Sequence, residues 1–170
     1  GKVAVDKRLF GKPTSLDAEE FREMADHTIV GHQIVSGVQF PWPRIPEIVR
    51  WHHERSDGSG YPDGLLLEDV PMPVRIVGLA DTFDAMTSER PYRERLSLGS
   101  TLNEIVRLTP QKFDPNAVHA LLLQVRRDTV GSNRTPFLQD RMVGDIAASD
   151  IDQLAASLQH KMSHGRLYLT

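Results

Sequence analysis

His52-His53-Glu54-Arg55-Ser56-Asp57-Gly58-Ser59-Gly60-Tyr61-Pro62-Asp63-Gly64 is the stretch on which the reading of the fold turns. Its second part, Asp57–Gly64, holds three glycines and a proline in eight residues and cannot be a helix interior. Helical patterns flank it on both sides. Before it, Pro46 suits the first turn of a helix carrying Ile48, Val49, Trp51 and the His52-His53 pair. After it, Pro73 opens a helix over roughly 73–88, with Val74, Val77, Ala80, Phe83 and Met86 at steps of three.

Working outward, Thr14 followed by Asp17 resembles a capping box. It predicts one helix from Leu16 to about Val38, with Phe21, Met24, Ala25, Ile34 and Val38 at helical spacings. Gly37 and Phe40-Pro41-Trp42-Pro43 end it, and residues 1–13 read as a loop. Thr101 and Glu104 predict the cap of a fourth, short helix. Asp114-Pro115 supplies the N-cap and first-turn proline of a fifth, rich in Leu121, Leu122 and Val125. The stretch from Asp128 to Gly144 reads as a linker. A last helix is capped by Ser149 and Asp152, ends near Gly165 and places Ile151, Leu154, Leu158 and Met162 on one face. That stripe reads as packing, covering the core or pairing two copies of the chain as a homodimer. Apolar runs such as Val3–Val5 are too isolated to build a sheet, so the expected class is all-α.

Of the 170 residues, 39% are hydrophobic and 25% charged, an ordinary globular mixture with enough chain to bury a core unaided. Without Cys there is no disulfide and no thiolate ligand, so any metal must be held by His and carboxylates. A net charge of −3 speaks against a nucleic-acid polymer as partner, though not against a small phosphate ligand met by local arginines. No apolar run approaches the ~20 residues that cross a bilayer, and no signal peptide is visible, so the expected location is cytoplasmic. The chain opens on Gly1 and reads as a fragment.

Several residues have chemistry to offer. Alone, His27 reads as a surface or packed histidine. Gly31, one turn on along the same face, leaves room for an approach beside it. Adjacent helical residues such as His52 and His53 point about 100° apart. From a regular helix they suit two neighbouring ions, or one ion and a phosphate, as well as one packed and one solvated ring. Asp81 has mostly apolar neighbours, where a buried carboxylate is costly unless paired or on a cation. Asp84 shares its face and could orient it; both could equally face solvent. In Arg90-Pro91-Tyr92-Arg93, the guanidinium forks suit phosphate oxygens and Tyr92 could stack on a base, but alone this is a solvated basic turn. Together His27, His52, His53 and Asp81 form an N/O ligand set that favours Mn, Fe or Zn over Mg or Ca.

The run from His52 to Pro62 strongly resembles the signature of the HD-GYP family. Lys12-Pro13, Met24 and His27-x-x-x-Gly31 resemble the family's segment before the signature. Ala80-Asp81-Thr82-Phe83-Asp84-Ala85-Met86-Thr87-Ser88, Arg90-Pro91-Tyr92-Arg93 and Phe113-Asp114-Pro115 resemble its segments after the signature. The likeness covers roughly residues 1–127, leaving 128–170 as a linker and helical extension.

The resemblance implies an HD-type helical bundle, incomplete at its N-terminus, and hydrolysis of cyclic di-GMP to linear pGpG or GMP at two or three divalent ions, commonly iron or manganese. Carried over by position, His27, His52, His53 and Asp81 match metal ligands. Lys2 matches the lysine that helps bind the scissile phosphate. Arg90 and Arg93 match residues on the ligand's phosphates, with Tyr92 and Tyr61 beside them. The Gly60-Tyr61-Pro62 loop resembles one tied to the site wall and to partners of the diguanylate cyclase type. In that family Gly-Lys normally comes directly after His-Asp-x. The expectation is therefore a chain that begins just after two ligands and is inactive alone, within an active parent.

Two other readings stand beside this one. An HD-type phosphohydrolase of another cyclic nucleotide would keep the fold and change the pocket. A non-catalytic module would sense cyclic di-GMP or dock a partner through Gly60–Pro62.

Overall fold

The computed structural model describes residues 1–10, 12, 14–89, 94–131 and 146–165. Among them the regular elements are helices, with no strand; a single antiparallel bridge joins Asp57 to Leu66. The helices are α1 (Lys7–Phe10), α2 (Ala18–Ala25), α3 (His27–Ser36), α4 (Ile45–Trp51), α5 (Met72–Thr87), α6 (Leu98–Leu108), α7 (Pro115–Val130) and α8 (Ala148–Gly165). Short 3-10 turns occupy Lys2–Ala4 and Leu67–Asp69. The chain divides into two compact units, Gly1–Asp81 with Glu89–Glu94, and Thr82–Ser88 with Arg95–Thr170.

In the first unit, α3 and α4 pack against each other. Gly31 makes this close, because a Cβ there would stand 2.8 Å from the Val49 side chain and 3.2 Å from the Gly1 Cα. The room expected beside Gly31 is filled by the protein's own chain. Residues 1–13 are not the plain loop expected, since Val5 and Leu9 bury their side chains on the short turns there.

The helix expected over 16–38 is two helices meeting at Asp26. The box at its start is not the expected Thr14–Asp17 pair but Asp17–Glu20: the Asp17 carboxylate accepts from Glu19 and Glu20 while Glu20 reaches back to the Asp17 N–H. At the junction, side chains take carbonyls three residues back. His27 Nδ1 lies 2.7 Å from the Met24 oxygen, and Thr28 Oγ1 donates to Ala25 at 2.8 Å. Such local bonds compete with the backbone ladder and interrupt it.

On α5 the buried positions are Val74, Gly78, Leu79, Phe83 and Thr87, while Val77 and Ala80 are exposed. A strict step of three falls about 60° short of a full turn each time, so that stripe walks off the packed face.

In the second unit, α6 begins at Ser97, whose hydroxyl accepts from the Ser100 N–H, and Thr101 is fully buried inside the helix rather than capping it. Asp114 caps α7 as expected, accepting from Asn116 and Ala117. The helix continues to Val130, past the Asp128 at which a linker was expected; Asp128 is buried and accepts from Gln124. Residues 132–144 of that stretch lie outside the described residues. Helix α8 packs along α7 and α6, burying Ile151 and Leu158. Ser149 and Asp152 sit within it; the carboxylate that reaches back over its start is Asp150, to the Ala147 N–H. No helix of the described residues is long and apolar enough to cross a membrane.

Candidate metal centre

Helix α4 stops at Trp51, so His52 is its C-cap and His53 lies beyond it in a turn. The 100° separation of adjacent helical side chains therefore does not apply, and the two rings come together with centroids 4.1 Å apart. His27, opening α3, meets both, at 5.6 Å from His52 and 5.1 Å from His53. Each of the three offers one ring nitrogen, and these nitrogens lie within 4.8 Å of one another.

Backbone carbonyls fix which nitrogens are offered. A carbonyl only accepts, so His27 Nδ1 carries a proton toward Met24, and His52 Nδ1 carries one toward Val49, 3.0 Å away. Both rings are left with an Nε2 lone pair. That of His27 is buried with no hydrogen-bond partner, a costly arrangement unless something else binds it.

Burial also keeps the rings neutral. It lowers the His27 and His52 pKa values and pushes His53 down to about 3, helped by the repulsion that protonating His53 would meet from Arg55, Lys2 and any proton on His52 or His27. Neutral imidazole is the form that binds metal.

Around this centre the other expected residues fall at different distances. Asp81, on α5, is 45% exposed and places Oδ2 4.0 Å from His53 Nδ1, outside the tight group of three. The burial cost expected from its neighbours does not arise. Gly78, one turn before it, lets α5 lie on the His52 backbone: a Cβ there would be 2.5 Å from the His52 oxygen. The charge of Lys2 acts on all three rings. The Tyr61 ring lies 4.8 Å from that of His53, tilted 30° to it, and Phe21 meets Tyr61 edge-on at 5.5 Å. Burial raises the Tyr61 phenol to about 12. Asp84 falls in the second unit, where its carboxylate accepts from Ser88 at 3.3 Å. Arg90, Tyr92 and Arg93 lie outside the described residues.

Two residues of the signature received no role from the sequence. Arg55 is half-buried, and burial lowers its pKa against the opposing influence of Tyr61, Asp81 and Asp57. Glu54 is 8% exposed, and its carboxylate accepts three backbone N–H groups, from Asp63 (2.8 Å), Gly64 (3.1 Å) and Leu65 (3.0 Å). A signal for it exists in the sequence: a carboxylate beside a Gly-rich loop faces backbone donors that no helix or sheet satisfies.

A family model described as HD domain matches residues 1–117. Over 123 residues the chain is 40% identical to the cyclic di-GMP phosphodiesterase response regulator RpfG of Xanthomonas campestris, and 42% identical to a cyclic di-GMP phosphodiesterase of Thermotoga maritima. It is 35% identical to 3'3'-cGAMP-specific phosphodiesterase 2 of Vibrio cholerae. Each match takes in 72% of this chain, but only 32%, 33% and 24% of the respective relative. The chain thus spans about a third or less of the length of these proteins. It belongs to the HD domain family, in its HD-GYP branch. That family is metal-dependent, and three convergent neutral imidazoles, one with an orphaned buried nitrogen, fit a divalent transition metal.

Proposed function

We propose that this chain supplies part of the catalytic site of a phosphodiesterase that hydrolyses cyclic di-GMP, with His27, His52, His53 and Asp81 as metal ligands. The observation that carries the proposal is the convergence of one nitrogen from each of three imidazoles within 4.8 Å, two of the rings held in one tautomer by backbone carbonyls. Two or three iron or manganese ions are the assigned complement, and when bound they would supply Lewis acidity toward a phosphoryl oxygen and a water nucleophile. Lys2 neutralises charge on the scissile phosphate. Tyr61 walls the site against His53, and Arg90, Arg93 and Tyr92 hold the phosphates and a base. In this reading residues 1–127 are the HD-GYP portion and 128–170 an extension of it. The Gly60–Pro62 loop is also the surface offered to diguanylate cyclase-type partners.

His53→Ala and Asp81→Ala, made in the full-length protein, are expected to lower bound metal and abolish cyclic di-GMP turnover. Metal analysis by mass spectrometry with a chromatographic assay of pGpG and GMP checks this, and parent-like activity in both variants would refute the ligand assignment. The likeness to a cGAMP-specific enzyme favours a second substrate, 3'3'-cGAMP. Comparing kcat/KM for the two dinucleotides decides between them.

A further inference from the structure

Glu54 stands next to His53 in sequence, yet its carboxylate is engaged by the far limb of the Gly-rich loop. Both oxygens are used there. Oε1 accepts from Asp63 and Gly64, and Oε2 from Leu65. Between these anchor points the chain folds back on itself. The Tyr61 N–H donates to the His53 carbonyl at 3.3 Å, and the Gly60 Cα passes so close that a Cβ would lie 2.4 Å from the Glu54 Cα and from the Arg55 nitrogen. Tyr61 is in turn the ring that covers His53. A second clamp holds the loop's outer side, where Asp63 takes two bonds of 2.7 Å from Arg50 and one of 2.7 Å from the Trp51 indole.

These contacts make the loop and the His53 backbone one unit. His53 is past the end of α4, so the helix ladder does not set its orientation. We propose that Glu54 is a positioning residue for the metal centre: by gathering three N–H groups of the loop it fixes the path of the His52-His53 turn and the Tyr61 ring against it. The inference rests on His53 being a ligand, as assigned above. It assigns Glu54 no contact with metal or substrate. A carboxylate is required because it presents two acceptor atoms and no donor; an amide would turn an NH2 toward one of the same N–H groups.

The test uses Glu54→Gln in the full-length protein, titrated with manganese alone and then assayed on cyclic di-GMP. Loss of groups that orient a ligand typically weakens metal affinity or activity about 10–100-fold. A loss of that size is expected for manganese affinity and for kcat at limiting metal, with kcat partly restored by saturating manganese and KM little changed. A merely structural glutamate would instead lower the melting temperature and leave manganese affinity, kcat and KM at parent values, which would overturn the proposal. Should Glu54→Gln not fold, Asp63→Ala decides, since it frees only the outer clamp. Manganese affinity near the parent's is expected, and a tenfold loss would show the loop held from Asp63 rather than Glu54. His53→Ala separates this from the reading beneath it: parent-like affinity there removes the ligand assignment, whereas weakened affinity there with parent-like Glu54→Gln removes only the role of Glu54.

Discussion

Gly78 and Gly60 show how single missing methyl groups shape this site. At Gly78 a Cβ would stand 2.5 Å from the His52 carbonyl oxygen, and neither the helix backbone nor that carbonyl can move aside cheaply. Gly78→Ala is therefore expected to cost about 1–3 kcal/mol, the range for overpacking a close contact, and to displace the turn that carries His52 and His53. Denaturant unfolding of the variant measures the first effect, and metal content the second. An unshifted midpoint would show that α5 does not rest on the His52 backbone. At the same scale, the sequence names His27 on the room beside Gly31, which Val49 and Gly1 in fact fill, and it marks Glu54 as a carboxylate beside a Gly-rich loop without disclosing what that carboxylate holds. Its partners lie nine to eleven residues further on, at a separation set by the loop's path rather than by a helical or strand period.

At the scale of elements, the sequence is most legible where a proline stands in the first turn, with or without a capping side chain. Pro73 and Asp114-Pro115 mark α5 and α7 correctly, because a fixed φ and an acceptor for orphan N–H groups are local properties. Competing local signals are less readable. Thr101 is the expected cap of α6, but it is buried within the helix and the Ser97 hydroxyl accepts the Ser100 N–H instead. The break at Asp26 depends on His27 and Thr28 turning their side chains onto backbone carbonyls, which hydrophobic spacing does not record. The histidine pair is legible but its convergence is not, since two adjacent rings diverge only where α4 continues through them. For α8, the stripe of Ile151 and Leu158 foretells a packed face, and the Lys161 ammonium, 2.8 Å from the Val106 oxygen, meets the carbonyls at the end of α6. Leu158→Ala is expected to destabilise by about 2–5 kcal/mol, as for other fully buried leucines. Circular-dichroism melts test this, and a loss under about 1 kcal/mol would mean that α8 adds little to its unit.

For the molecule as a whole, the three histidines tie stability to pH. Each has a folded pKa below the ordinary 6.5, His53 near 3, while in the unfolded chain they titrate normally. Between these values the unfolded state binds more protons than the folded one, so acid favours unfolding. Their contribution is complete above about pH 6.5 and is lost as the pH falls toward 3. Carboxylates lowered by their hydrogen bonds, such as Asp63 beside Arg50, act in the same direction at lower pH. Metal-free protein is therefore expected to melt at a lower temperature at pH 5 than at pH 7.5, and His53→Gln to show a shallower dependence. A melting temperature independent of pH across that window would contradict neutral burial of the rings.

The clamp at Glu54 also fixes an order of events. Its three bonds run between parts of the polypeptide, so the entropy of arranging that loop is spent during folding rather than at the moment of capture. On the proposed ligand assignment, an arriving ion would meet a receptor already cut to shape, and what remains for it to surrender would be mainly its own hydration shell.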